Sequence, residues 1–303
     1  MVILEITMIF SKQQPIMETI KSLIDLLTLE RIDDRIFRGS NYKTPWKRVF
    51  GGQVLGQALH AAYQTVPADR LAHSMHGYFI LAGDIDVPIV YEVDTIRDGG
   101  SFTTRRVVAI QKGRAIFNMA ASFQLKQPGF DHQIAMPNVL PPEVLLKNSE
   151  QIKVLKKSDP ALYKRFSSMY PNAFDFRAVE KFTPKENRRP YQHIWMKTEE
   201  KVELDLPMHH QLLAYVSDYN FLGTAALPHQ SDAVRANLFF ASLDHAIWFH
   251  RDFRVDDWLL SAMDSPSASN ARGFSRGNIF DKEGQLVASV VQEGLIREKG
   301  KKG

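Results

Sequence analysis

The chain has 303 residues, 44% hydrophobic and 24% charged, with a formal net charge of +4. That is enough for two ordinary domains with sizeable cores, and too mildly basic to argue for a nucleic-acid partner. The absence of cysteine excludes disulfides, a thiol nucleophile and thiolate metal sites, and no stretch approaches the roughly 20 apolar residues of a membrane helix.

Residues 1–16 are apolar at the start but contain Glu5 and lack a basic start and a cleavage site, so they read as an extension rather than a signal peptide. Ile20, Leu23, Ile24 and Leu27 recur at helical spacing and predict an amphipathic helix in the segment from Met17. Gly51–Tyr63 (GGQVLGQALHAAY) reads as a second helix; it lacks proline and is rich in small residues, which permit close packing. A strongly curved sheet wrapped around this helix would suit those small residues. Four strands follow, His73–Leu81, Pro88–Arg97, Ser101–Gln111 and Ala115–Leu125, separated by turns such as Asp98-Gly99-Gly100 and Lys112-Gly113. In the last, Ala115, Phe117, Met119, Ala121 and Phe123 share one face at a period of two.

From Gln127 the sequence turns proline-rich and lysine-rich, the pattern of a linker with one short helix. Strand, helix and strand then recur. Phe174–Phe182 and Tyr191–Thr198 read as strands, Pro207–Asn220 as a helix with Asp205 just before it, and Ala236–His250, Asp257–Met263, Arg272–Phe280 and Gln285–Ile296 as strands. The two long helices align with Gln53 on Gln211 and His60 on Asp218, and the last strands align near Gln124 and Gln292. This self-similarity predicts two fused α+β units: an extension over 1–16, one unit over 17–126, a linker over 127–172, a second unit over 173–297 and a solvated tail over 298–303.

Three motifs mislead. Gly273-Phe274-Ser275-Arg276-Gly277 spells a nucleophile elbow, but a strand follows it and His250 is the last histidine, so the elbow's order of serine, acid and histidine cannot be met. Gly51, Gly52 and Gly56 do not fit a dinucleotide loop. The pairs His73/His76 and His209/His210 point to opposite or diverging faces, so no metal site is expected.

Polar groups in apolar surroundings remain. Asp218 is expected near the C-terminal end of its helix, with Gly223 as the cap; the helix field and burial would raise its pKa toward that of a general base. A solvated or capping aspartate is the plainer alternative. Gln292 shares a strand face with Leu286, Ala288 and Val290, and Ser242 lies in an aromatic-rich strand; each needs a partner if buried.

Arg48–Gln57, Val216–Leu222, Ser242–His250, Ser267–Phe274 and Val287–Gly294 resemble, in order, the signature segments of the thioesterase II family, in register from about Met17 to Arg297. The resemblance implies a double hotdog, two helices each wrapped by a curved antiparallel sheet. It also implies hydrolysis of medium- to long-chain acyl-CoA by direct attack of water, without metal or redox cofactor. Asp218 falls on the family's catalytic aspartate, Gln292 on its glutamine, and Ser242 on a position that is often threonine. Gly51 and Gly52 are candidates for holding the oxyanion through their amides. Arg97, Arg105, Arg106, Arg272 and Arg276 are candidates for the anionic end of CoA, and all five could equally be solvated. A cytoplasmic homo-oligomer is the expected setting. The rival readings are a non-catalytic acyl-CoA-binding hotdog protein and a hotdog dehydratase with His60 as its histidine.

Overall fold

The computed structural model describes residues 19–167, 173–181, 183, 186–230 and 238–298. The expected extension, the first residues of the Ala236 strand and most of the tail lie outside them. In chain order the first half comprises α1 (Ile20–Leu27), β1 (Glu30–Asp33), β2 (Ile36–Gly39), α2 (Gly51–Tyr63), β3 (Arg70–Phe79), β4 (Ile89–Asp98), β5 (Phe102–Gln111) and β6 (Arg114–Leu125). Short helices α3 (Asn148–Gln151), α4 (Leu155–Ser158) and α5 (Pro160–Ser167) follow. The second half comprises β7 (Phe174–Ala178), β8 (Tyr191–Thr198), α6 (Leu206–Val216), α7 (Gly223–Ala226), β9 (Leu238–Ser242), β10 (Asp244–Phe249), β11 (Leu259–Ser269), β12 (Arg272–Asp281) and β13 (Leu286–Glu298).

All described strands join one antiparallel sheet in the order β1-β2-β4-β5-β6-β3-β10-β13-β12-β11-β8-β7, with β9 also on β13. Read outward from the β3–β10 junction, each half repeats the same sequence of roles. Each half also carries the same cross-strand ion pair, Arg106 to Asp94 and Arg276 to Asp264, both twelve residues apart. Each half is thus a helix cradled by a curved sheet, and together they form the double hotdog.

The central helices explain the small residues. Eleven of the thirteen residues of α2 are buried, from Gly52 to Ala62. Gly52 and Gly56 do not face the sheet, as the sequence suggested. They face α6, and Gly56 also faces α1: a Cβ on Gly52 would lie 2.1 Å from the Tyr215 carbonyl oxygen, and one on Gly56 would lie 2.8 Å from Leu27 Cδ2 and 3.1 Å from the Gln211 carbonyl oxygen. The N-terminus of α2 therefore meets the C-terminus of α6. At the far end His60 Nδ1 lies 3.0 Å from Gln211 Oε1, and Tyr63 OH 2.7 Å from His210 Nδ1. Gln57 ties α2 sideways, donating to the carbonyls of Leu26 and Ser40 and accepting from Tyr91.

Several elements differ from the sequence reading. The β1–β2 hairpin occupies a region read as helical at its start; every residue of β1 is exposed, so no alternation marks it. The linker holds three short helices rather than one. Helix α6 stops at Val216, capped at its start by the Asp205 side chain on the Met208 amide. Asn220, with φ of 64°, turns the chain, and Gly223 opens α7 rather than capping α6. The single strand expected up to His250 is broken at Leu243, whose amide donates to the Glu293 carbonyl.

The crossing predicts a steep penalty at one position. Gly52→Ala should lower stability by about 3 kcal/mol or more, because backbone rather than a flexible side chain blocks the new methyl. Gly100→Ala, with nothing within 4 Å, should change stability by no more than about 0.5 kcal/mol. Urea unfolding midpoints check both.

Candidate active site

Asp218 follows the Ser217 C-cap of α6 and is delivered by that helix to the start of α2. Helix α2 has no side-chain cap of its own, since its N-cap residue is Phe50. The Gly52 amide instead donates to Asp218 Oδ2 at 3.0 Å, so a carboxylate from the second half caps a helix of the first. The other carboxylate oxygen, Oδ1, accepts from Gln292 Nε2 at 2.7 Å and from Ser242 Oγ at 3.4 Å. Gln292 Nε2 also donates to Ser242 Oγ at 2.7 Å. The three side chains, far apart in sequence, form one closed set of hydrogen bonds. Ser242 ends β9, where it pairs with Gly294, and Gln292 points inward from β13.

Asp218 keeps part of its surface open to a cavity and is packed by protein on its other sides. Burial raises its pKa; the bonds from Gln292, Gly52 and Ser242 lower it, and burial prevails. The sequence reading ascribed part of this shift to the end of α6. The structure adds a helix start on the other side, which favours the charged form and leaves desolvation as the leading cause. Aromatic groups close the neighbourhood. Phe50 lies 4.5 Å from Tyr219 between ring centroids, and the Tyr215 and Tyr219 hydroxyls are 3.1 Å apart. Burial pushes both phenols up, so they stay neutral beside the carboxylate.

The cavity has a volume of about 1170 Å³ and is bordered by Gly51, Asp218 and Ser242. Phe79, Ile116 and Phe117 wall it from the first half, Ile194 and Leu222 from the second, and the linker contributes Ile152 and Leu162. Gln292 does not border it and stands behind Asp218 and Ser242. A Cβ on Gly51 would lie 2.7 Å from Asp218 Oδ2, so the glycine keeps the space over the carboxylate open.

Other candidates are placed elsewhere or otherwise engaged. The Gly52 amide is taken by Asp218 and is not available to an oxyanion. Arg105 is 2% exposed and donates to the Thr65 carbonyl and hydroxyl and to Asp98. It thereby closes the C-terminal end of α2, about 20 Å from the N-terminal end if the helix rises 1.5 Å per residue. Arg106, Arg272 and Arg276 pair with Asp94, Glu293 and Asp264, and Arg97 packs at the Gly99 turn. None of these five arginines borders the cavity; Arg48 and Arg188 do, and the sequence reading missed them. Ser275 is fully buried in β12 opposite Gln292, with no base bonded to its hydroxyl. His60 is bonded to Gln211 and kept neutral by burial at the far end of α2, which removes the placement a dehydratase would need. His73 bonds Ser122, and His76 packs on Trp248.

Comparison with known proteins gives consistent matches. The family described as "Acyl-CoA thioesterase" matches residues 164–295, and that described as "Acyl-CoA thioesterase N-terminal domain" matches residues 42–124. The chain is 40% identical over 283 residues to the acyl-CoA thioesterase 2 of Haemophilus influenzae, covering 92% of this chain and 98% of that protein. It superposes on the crystal structure of the acyl-CoA thioesterase II TesB2 from Mycobacterium marinum with a TM-score of 0.77 and 41% identity, covering 91% and 98% of the two chains. A hot dog fold protein from Alicyclobacillus acidocaldarius, at 19% identity, shares the fold with a TM-score of 0.71, covering 91% and 98%.

Burial of Asp218 has a consequence for stability. A folded-state pKa above the unfolded one means that the folded state holds the proton more tightly. The contribution is favourable below the ordinary carboxylate pKa and is lost as pH rises through the raised value. Relative to Asp218→Asn, the native chain should therefore lose stability as pH rises from acid to neutral. The difference in urea midpoint at each pH measures this; a change of opposite sign would mean that the three donors outweigh burial.

Proposed function

The chain belongs to the acyl-CoA thioesterase family and is an acyl-CoA thioesterase, and we propose that it hydrolyses fatty acyl-CoA by direct attack of a water held between Asp218 and Ser242. The observation that carries this reading is a carboxylate of raised pKa beside a hydroxyl on the floor of an apolar cavity. The water donates one hydrogen to Asp218 and the other to Ser242 Oγ, which leaves a lone pair facing the thioester carbon. As the carbon–oxygen bond forms, Asp218 takes the proton. Collapse of the tetrahedral intermediate expels the CoA thiolate, which recovers that proton, and leaves the free acid. In this reading the amide of Gly51, which leads α2 and borders the cavity, holds the oxyanion.

Gln292 acts one step back. Both hydrogens of its Nε2 are directed at Asp218 and Ser242, so it aligns the two groups that hold the water rather than touching the water itself. Its bond is also the leading influence that lowers the Asp218 pKa. Ser242 supplies the same hydroxyl as threonine with less restraint on its rotamer. The apolar walls suit an alkyl chain and exclude water, which strengthens every interaction at the carbonyl. No described helix is long and apolar enough to cross a membrane. A cytoplasmic homo-oligomer remains part of the proposal, and sedimentation of the purified protein tests the oligomer.

With palmitoyl-CoA and a thiol reagent, Asp218→Asn should lower kcat by roughly 10³-fold, within the span of general base catalysis, while acyl-CoA still binds. Ser242→Thr should keep activity and Ser242→Ala should lose it in part. The acid limb of the kcat/KM profile should lie above the ordinary carboxylate range, because only ionised Asp218 accepts a proton. Gln292→Ala should slow turnover and move that limb to higher pH; a slow variant with an unmoved limb would leave Gln292 merely structural. Rapid-mixing detection of free thiol should show no burst, and quenched enzyme no acyl adduct. An adduct on any residue would end the direct-attack mechanism.

A further inference from the structure

Two arginines, Arg48 on the cavity border and Arg297 on β13, differ from most others in the molecule. Arg31, Arg38, Arg70, Arg105, Arg106 and Arg177, among others, lie against carboxylates. Arg188, which borders the cavity, faces Glu180 at 4.0 Å. Arg48 and Arg297 have no ion-pair partner among the described residues. Both are exposed, and both converge on one aromatic ring: the Arg48 guanidinium lies 4.9 Å from the Phe239 centroid and that of Arg297 lies 5.7 Å from it. Like charges gathered within a screening length repel, and an anion relieves that repulsion.

The cluster is tied to the site through the same elements that build it. Arg48 borders the cavity and precedes the Gly51 start of α2 by three residues. Phe239 precedes Ser242 by three residues on β9, about 10 Å along an extended strand, and Arg297 is its direct partner on β13. That separation is too great for contact with a thioester carbonyl held at Asp218 and Ser242. It suits the far end of a thioester whose pantetheine arm leads out of the cavity.

We propose that Arg48, Phe239 and Arg297 form the subsite for the phosphates of the CoA nucleotide. Arginine suits this role because its planar fork binds phosphate oxygens in pairs while its face remains on an aromatic ring. The proposal rests on the thioesterase reading above and names the residues that recognise the leaving group's charged end.

The test compares two substrates that share the acyl chain and the reacting bond, palmitoyl-CoA and palmitoyl-pantetheine, which lacks the nucleotide and its phosphates. In Arg48→Gln and in Arg297→Gln, the ratio of kcat/KM on the CoA thioester to that on the pantetheine thioester should fall by about tenfold, the scale of one charge-assisted hydrogen bond. The fall should come through KM, with kcat on palmitoyl-CoA retained. Raising ionic strength should increase the native KM for palmitoyl-CoA, and each variant should flatten that dependence. An unchanged ratio, whether both substrates lose equally or neither does, would overturn the subsite; equal losses would expose a folding defect. A native enzyme inactive on both substrates would overturn the thioesterase reading instead, so the two failures are distinct.

Discussion

The close passage of α2 against α6 governs the molecule. With no side chain at Gly52, the two backbones approach until the start of one helix meets the end of the other. The last residues of α6 then have one place to go, across the amides that open α2. Asp218 lands there and supplies the cap that Phe50 cannot. The carboxylate and the backbone donor that fixes it therefore come from different halves of the chain. A widened helix crossing would separate them before it disturbed either sheet.

Around that contact the electrostatics are those of a poised base rather than a stabilising ion pair. Neutral donors hold the carboxylate: an amide N–H, a glutamine and a serine. A cation in contact would have fixed the charge and reduced its basicity. Neutral donors orient it and leave burial free to raise its affinity for a proton. The opposite end of the same crossing shows the alternative outcome of the repeat. His60 bonds Gln211 and Tyr63 bonds His210 there, and His210 stacks on Phe249 with ring centroids 4.2 Å apart. Equivalent positions became packing at one end and an acceptor facing a cavity at the other.

Much of the scaffold was legible because its signals are local. The run Gly51–Tyr63 gives α2 to the residue, and the alternation from Ala115 to Phe123 gives the buried face of β6. The closing strands of the halves rhymed, and the pseudo-repeat pointed to two like units. The cross-strand pairs Asp94–Arg106 and Asp264–Arg276, with equal spacing, were a further sign of the repeat that went unread. What was lost depends on contacts at a distance. The break between β9 and β10 comes with a one-residue slip in register against β13, where Asp244 Oδ1 takes the Glu293 amide, a partner distant in sequence. The burial of Arg105 follows from the end of a helix forty residues earlier. Four of the five arginines suspected of binding CoA pair with carboxylates of neighbouring strands and Arg97 packs at the Gly99 turn, whereas Arg48 carried no distinguishing pattern in the sequence. Asp218, Ser242 and Gln292 were named by resemblance; their mutual bonds could be seen only in three dimensions.

The hydrogen-bonded junction of β3 with β10 makes one uninterrupted sheet of the two halves. Opening the halves like jaws to admit a long chain would break the hydrogen bonds between β3 and β10. Passage in and out then falls to the parts of the cavity wall that lie outside the sheet, among them Ile152 and Leu162 of the linker. Traffic through the enzyme would then be set by side chains and short helices shifting locally, on the faster timescale of loop motion rather than the slower one of domain rearrangement.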